Sequence, residues 1–337
     1  MKKQIGDKYR KELSKYGIVP EEEINISTRM KICREFTNRI FETFDNFPIS
    51  YTQIYMRVYN LKIQKAKIDG VKKVFYFYKN NTVYIDEVAL KSMSQKMHLY
   101  VELIHGIQNF GNRDSRKQRV GLVKFKETKL YGLGLNEGVI QYIVSKMLGN
   151  KIKKYTFSSF SIYSISEYYK FLVNLVQQLA LLMGDEIISE SLFLSDSIFE
   201  KAFENIYEGE ASKIITLLDK IFSISTTHKH SNKELIAIYL KVYKIIISKY
   251  LNQMLELITE LDEIKTIRLL LQKLNEIAPD GDTFFFEYKV RYGEELKRIQ
   301  KRIEIEKRNN SLIEVKPNPI SRIFKRINDA LVNIILE

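Results

Sequence analysis

The sequence predicts an α+β protein that is mainly helical, with one small β-sheet in its first third. Residues 166–278 contain no proline, and their apolar residues recur at the three- and four-residue spacing of helices. Between about 61 and 86 the pattern changes to short β-branched and aromatic runs, separated by turn-forming residues. We therefore expect a small three-stranded antiparallel sheet at 61–86, then a motif-bearing helix, then a long helical C-terminal half.

The composition is that of a globular protein. Of 337 residues, 45% are hydrophobic and 28% are charged. The single cysteine, Cys33, excludes an intramolecular disulfide framework and fits a reducing compartment. The N-terminus carries no apolar signal segment, which predicts a cytoplasmic location. The net charge of +13 favours anionic partners at low salt, but the chain has no specific nucleic-acid motif.

Residues 1–47 are predicted to form an N-terminal helical segment. Residues 1–25 are charged and lack a periodic pattern, which indicates a short helix and a linker. From Met30 to Phe47 the apolar residues return at helical spacing, and Pro48 ends this helix. A second short helix is expected at 50–59.

Residues 48–155 are predicted to form the core that carries the sheet and the functional motifs. Turn signals at Asp69-Gly70 and at Asn80-Asn81 separate three strand-like runs. The aromatic run at 74–78 is the most strand-like of them, since β-branched and aromatic side chains favour strands. These two turns underlie the prediction of antiparallel pairing.

The helix after the sheet carries the first motif, Val101-Glu102-Leu103-Ile104-His105. On a helix, Val101 and His105 lie one turn apart on one face, with Glu102 beside them. This is the layout of the zinc-protease helix H-E-x-x-H, with valine in place of the first histidine. A second helical stretch begins with Gly134-Leu135-Asn136-Glu137-Gly138.

These motifs, in this order, resemble those of gluzincin-type zinc metallopeptidases, in particular the small peptidase-like proteins of low-GC Gram-positive bacteria. The resemblance is carried by the Tyr- and Asn-rich hairpin at 76–85, by the Glu102–Gln108 stretch and by Gly134–Gly138. The stretch at 174–186 also resembles the helix that follows in such proteins. The resemblance covers about residues 48–205.

The resemblance implies a zinc ion held by two imidazoles and one carboxylate, with a neighbouring glutamate that takes a proton from the attacking water. Mapped onto this chain, Glu102 is the catalytic base, His105 the second ligand and Glu137 the third ligand. The first ligand position is occupied by Val101. Since valine cannot bind a metal, we expect zinc binding to be weak or absent.

A substitute ligand on the same helix is not expected. His98 precedes His105 by seven residues, which corresponds to about 10 Å of helical rise. On a straight helix that separation is too large for both rings to bind one ion. We therefore interpret His98 as an ordinary surface histidine.

The C-terminal half is predicted to be a helical subdomain at 156–308, followed at 309–337 by a linker and a C-terminal amphipathic helix. Residues 320–335 place apolar side chains on one face and basic ones on the other. Such a helix can lie on a membrane surface or bind a partner. We favour the alternative that it packs on its own protein.

The first functional hypothesis is a degenerate, non-proteolytic metallopeptidase-like protein, a pseudoenzyme whose relic cleft binds peptide or protein. One alternative is an active zinc-dependent metallopeptidase, a hydrolase with an unusual ligand set. The other is a non-enzymatic basic helical module that binds nucleic acid or an anionic membrane surface. Metal content, peptide cleavage and salt-sensitive binding distinguish the three.

Overall fold

The computed structural model describes residues 9–45, 47–92, 95–108, 119–126, 129–227 and 231–309. The protein is mainly helical with small mixed sheets, which confirms the predicted fold class. The predicted amphipathic helix at 320–335 lies outside the described residues.

Residues 9–14 are helical. From Ile26 onwards, the helices in chain order are α1 (Ile26–Thr43), α2 (Tyr51–Tyr59), α3 (Glu87–Lys91), α4 (Lys96–Gln108), α5 (Leu133–Met147), α6 (Lys170–Met183), α7 (Asp185–Leu194), α8 (Ile198–Ile206), α9 (Ala211–Thr226), α10 (Asn232–Leu257), α11 (Leu261–Ile277) and α12 (Phe284–Asn309). The strands are β1 (Ile18–Glu23), β2 (Lys62–Ile68), β3 (Val74–Phe77), β4 (Thr82–Ile85), β5 (Arg119–Val120), β6 (Val123–Lys126), β7 (Lys129–Tyr131), β8 (Lys153–Phe157) and β9 (Phe160–Ser164).

The chain divides into two compact units, each assembled from three segments. The first unit comprises the described parts of Met1–Leu130, Val139–Lys151 and Ser189–Asp196. The second comprises those of Tyr131–Gly138, Ile152–Ile188 and Ser197–Glu337. The boundary between the units passes through α5, whose first residues belong to the second unit. The four-part division at 1–47, 48–155, 156–308 and 309–337 stays a prediction.

The main sheet of the first unit has four strands in the order β1-β2-β4-β3. The three strands predicted at 61–86 are present, but the prediction of a three-stranded antiparallel sheet was wrong in two respects. Residues 9–14 form a short helix, as expected, but the stretch that was expected as a linker supplies β1, which pairs antiparallel with β2. In addition, β2 runs parallel to β4, while β3 pairs antiparallel with the outer side of β4.

Local signals could not predict these pairings. A turn at Asp69-Gly70 was expected to join two neighbouring strands, yet β4 lies between β2 and β3. The order of strands is decided by which apolar faces can be buried together, and a short turn motif does not fix it.

Helix α4 packs against β3 and β4 and also contacts α2. Its burial is nearly complete: ten of its residues are buried, including Leu103, Ile104 and Ile107 at 0% exposure. From α1, the ring of Phe36 meets that of Tyr100 edge-on, with centroids 5.4 Å apart. The motif residues of α4 are therefore held by a packed core.

Helix α6 is the central element of the second unit. It contacts α9, α10, α11 and β9, and nearly all of its residues are buried. Buried Asn174 donates to the carbonyl oxygens of Tyr163 and Ile277, at 2.8 and 2.9 Å, and accepts from the Tyr239 hydroxyl at 2.6 Å. One amide thus connects β9, α10 and α11. Its position in the interior requires these hydrogen bonds, because buried polar side chains are nearly always hydrogen-bonded.

Within the described residues, no single helix has the length and apolar composition needed to cross a membrane, and the bent pair α6 and α7 meets that test only in combination.

Candidate functional site

The first motif lies on α4, in the first unit. Val101 is 5% exposed and Glu102 is 4% exposed, whereas His105 is half-buried. The helical period places Val101 and His105 one turn apart, as the sequence predicts. The hydrocarbon side chain of Val101 is therefore part of the packed interior.

The carboxylate of Glu102 has a protein partner at each of its two oxygens. Its Oε2 accepts a hydrogen bond from the backbone N–H of Tyr76 at 2.7 Å. Its Oε1 forms an ion pair with Lys72 Nζ. The Glu102 side chain is only 6% exposed, while that of Lys72 is 48% exposed. A carboxylate this deeply buried needs such partners, because burial of an uncompensated charge is very unfavourable.

The Tyr76 contact also closes part of a sheet edge. Tyr76 belongs to β3, the last strand in the order β1-β2-β4-β3. Its N–H points away from β4 and would otherwise face outwards from the sheet. Glu102 therefore fastens this edge strand to α4 through a charge-assisted hydrogen bond, a strong class of hydrogen bond.

Two histidines flank Glu102 on the same helix. The His105 ring lies parallel to the Tyr76 ring, with centroids 6.4 Å apart and an angle of 7° between the planes. His98 Nδ1 lies 3.0 Å from Gln95 Oε1. Burial lowers the pKa of His98, the charge of Lys72 lowers it further, and Glu102 acts in the opposite direction. Lys72, His98 and Glu102 thus form one electrostatic group.

The second motif opens α5, in the second unit. The backbone N–H groups of Gly132 and Gly134 donate to the two carboxylate oxygens of Asp219, at 2.9 and 2.8 Å. Burial raises the pKa of Asp219, and these two hydrogen bonds partly oppose that effect. A Cβ at Gly134 would lie 2.2 Å from the carbonyl oxygen of Leu218. The start of α5 is therefore pressed against the backbone of α9.

The remaining residues of the second motif also have packing roles. A Cβ at Gly138 would lie 3.0 Å from Val176 Cγ2 and 3.3 Å from Leu172 Cβ, both on α6. Asn136 is 4% exposed, and its N–H donates to the Gly132 carbonyl at 3.0 Å. Both glycines of Gly-Leu-Asn-Glu-Gly thus lie at close contacts between helices, and the contact is tighter at Gly134.

Glu137 is half-buried within α5 and belongs to the second unit, whereas Glu102 and His105 belong to the first. The predicted meeting of Glu137 with His105 in one pocket stays a prediction.

As they stand, the side chains of α4 do not fit a zinc centre. Zinc requires imidazole, thiolate or carboxylate donors at its protein-ligand positions, and Val101 offers none. Glu102 is already paired with an ammonium group. Throughout the part of the chain that the structure describes, no three or more His, Cys, Asp or Glu side chains form a group that could hold a metal ion.

Sequence reasoning missed two residues that define these sites, Lys72 and Asp219. Lys72 is one of two consecutive lysines after a turn, and Asp219 is a single acidic residue in an amphipathic helix. Neither stands out, because their partners are remote in sequence: Asp219 is 85 residues from Gly134. A local signal existed only for the glycines, whose four-residue spacing is typical of close helix contacts.

The chain was compared with protein-family models, with curated proteins and with solved structures, and none of the three comparisons gives a match. The resemblance to gluzincins therefore depends on the motifs alone.

Proposed function

We propose that this protein is a degenerate metallopeptidase-like protein of the gluzincin type that does not cleave peptide bonds. The observation that carries the proposal is the environment of Val101 and Glu102. A buried hydrocarbon stands where the first zinc ligand is expected, and the adjacent glutamate is paired with a lysine. Hydrolysis by this class of enzyme requires a metal-bound water and a glutamate free to take its proton.

One feature supports a role in binding peptide or protein. Aromatic side chains at and after β3 are partly exposed: Tyr76, which lies parallel to the His105 ring, is half-buried, and Tyr78 is 68% exposed. Aromatic side chains provide contact area at interfaces. The proposed ligand is an extended peptide or protein segment, held beside α4 and β3 and released uncleaved.

The first test is metal analysis and peptide cleavage with the purified chain, beside a Glu102→Gln variant. We expect that the protein retains no stoichiometric zinc after incubation and dialysis. We also expect that any cleavage of a mixed peptide library is the same for the chain and for Glu102→Gln. Stoichiometric zinc together with cleavage that is lost in Glu102→Gln would establish the active peptidase instead.

The second test restores the missing ligand. Val101→His should raise zinc affinity by at least about 10- to 100-fold, the range by which even indirect changes around a metal alter affinity. Adding His105→Ala or Glu137→Gln to Val101→His should remove that gain. Titration with zinc, read by calorimetry, gives the affinities. If Val101→His brings no gain, the residues around the site have diverged as well as Val101. If Glu137→Gln has no effect, Glu137 is not the third ligand.

The positive net charge suggests a different function, that of a basic module that binds anionic partners. A basic module would bind single-stranded nucleic acid or acidic vesicles tightly at low salt, and its affinity would fall steeply with added salt. Measurement at two salt concentrations detects this. Such binding, with no binding of an immobilised peptide library, would replace the proposed function.

A further inference from the structure

The ion pair between Lys72 and Glu102 differs from the other ion pairs of the first unit in the burial of its acidic partner. The Glu102 side chain is 6% exposed, whereas the carboxylates paired with Lys73, Lys91 and Lys65 are 17%, 68% and 73% exposed. In the described part of the chain, Lys72 is the one cation within ion-pair distance of Glu102. A single ammonium group therefore supplies the charge that compensates this buried carboxylate, beside the hydrogen bond from the Tyr76 N–H.

The fold holds Lys72 in place. Lys72 lies on the short link between β2 and β3, after Gly70, whose φ of +84° turns the chain back. The next residue, Lys73, is anchored: its N–H donates to Gln95 Oε1 at 3.3 Å, and its carbonyl accepts from the N–H of Asp86 at 2.9 Å. These bonds fix the backbone from which the Lys72 side chain reaches the carboxylate.

A cation in contact with Glu102 repels any second cation that approaches the same site. Two like unit charges a few ångströms apart repel each other strongly at the effective dielectric constant of a protein surface. A divalent ion is repelled more strongly still. The donor set thus disagrees with a zinc centre for two separate reasons, a missing ligand at Val101 and a positive charge already present at Glu102.

We infer that Lys72 supplies, from within the chain, the positive charge that a metal ion supplies beside this glutamate in a working metallopeptidase, and that it excludes a divalent cation from the site. This inference rests on the proposed function. It makes Lys72 a positioning residue, which neutralises Glu102 and keeps β3 fastened to α4. The fold is then independent of metal, since the compensating charge cannot dissociate.

The first experiment is a double-mutant cycle in the full chain with Lys72→Met and Glu102→Gln, with stability measured by denaturant unfolding. Glutamine keeps an oxygen acceptor for the Tyr76 N–H and removes only the charge. We expect Lys72→Met to lower the folding equilibrium constant about tenfold, and the double variant to lose much less than the two single losses combined. Lys72→Arg keeps the positive charge and should therefore retain most of the stability that Lys72→Met loses.

The matched control is the exposed pair Lys91–Glu87, with side chains 74% and 68% exposed. The same substitutions there should change the folding constant by less than about threefold and show little coupling. Independent, additive effects at Lys72 and Glu102 would overturn the inference, since the lysine would then not be compensating the carboxylate.

The second experiment measures zinc affinity in the Val101→His background. Adding Lys72→Met should raise the affinity at least about tenfold, because the repulsion is removed. Adding Lys91→Met or Lys72→Arg should leave it nearly unchanged.

The outcomes separate the two proposals. Equal zinc affinity for Val101→His with and without Lys72→Met would overturn the role of Lys72 and leave the metallopeptidase-like assignment standing. No zinc binding by either variant would overturn that assignment, and this inference with it. A tighter complex after Lys72→Met, together with coupling in the cycle, supports both.

Discussion

The middle of α4 and the start of α5 carry the two halves of the same motif pattern, yet different physical demands fix their residues. On α4 the demand is electrostatic, since a buried Glu102 carboxylate is held by Lys72 and by the Tyr76 N–H. On α5 the demand is steric, since Gly134 leaves no room for a Cβ and a Cβ at Gly138 would push neighbouring side chains aside. One sequence motif can therefore contain residues with an electrostatic role and residues with a packing role. Only the surrounding structure distinguishes the two roles.

The largest expected effect is that of Gly134→Ala. The new Cβ would lie 2.2 Å from a backbone oxygen of α9, which cannot move aside as a side chain can. We expect a loss of more than about 3 kcal/mol in the free energy of unfolding. Gly293→Ala is the control, because this helical glycine has nothing within 4 Å of the added Cβ and should gain about 0.5 to 1 kcal/mol. Equal effects in urea unfolding would show that α5 and α9 are not in close contact.

Glu102→Ala should have the next largest effect. It leaves the Tyr76 N–H without its acceptor and Lys72 without its partner, so we expect a loss of about 2 kcal/mol in unfolding free energy. Glu102→Gln, which keeps the acceptor, should lose less. Glu87→Ala at an exposed ion pair should change stability by less than about 0.5 kcal/mol. A loss at Glu102 no larger than at Glu87 would contradict the electrostatic description of α4.

Gly138→Ala should be milder than Gly134→Ala. Its Cβ would meet side-chain atoms of α6 at 3.0 and 3.3 Å, and these can shift by a few tenths of an ångström. We expect a loss of about 1 kcal/mol, measured by the same unfolding experiment. If Gly138→Ala proved as damaging as Gly134→Ala, the distinction between a backbone and a side-chain neighbour would be wrong.

The smallest effect is a titration shift at His98. Burial, with the charge of Lys72, holds the pKa of His98 below its ordinary value of 6.5. A lowered pKa means that the neutral ring contributes stability above pH 6.5, and that this contribution is lost as pH falls through the folded-state pKa. Lys72→Met should raise the pKa of His98, read from the pH dependence of its ring proton resonances.

Glu102→Gln removes the opposing charge and should lower the pKa of His98 instead. Lys91→Met is the control and should leave the pKa of His98 unchanged. Shifts of the same sign in the Lys72 and Glu102 variants would show that the three side chains do not form one electrostatic group.

The sequence predicted the helices and three of the four strands of the main sheet, because their side-chain periodicity is a local property. It missed β1, whose sequence Ile-Val-Pro-Glu-Glu-Glu is charged and contains a proline. Proline is tolerated there because β1 is an edge strand. Its pairing is also remote, since Ile18 lies opposite Ile68. No local signal reports a partner fifty residues away.

By itself, the sequence determined that Val101 and His105 share one helical face with Glu102 beside them, because the period of the helix fixes that relation. The tertiary structure alone decided what Glu102 does, since its partner Tyr76 lies 26 residues away on an edge strand and Lys72 lies on the link before it. It also decided why Gly134 is glycine, through the backbone of α9. Helical period is local, whereas the compensation of a buried charge and the fit of two helices depend on which distant segments pack together.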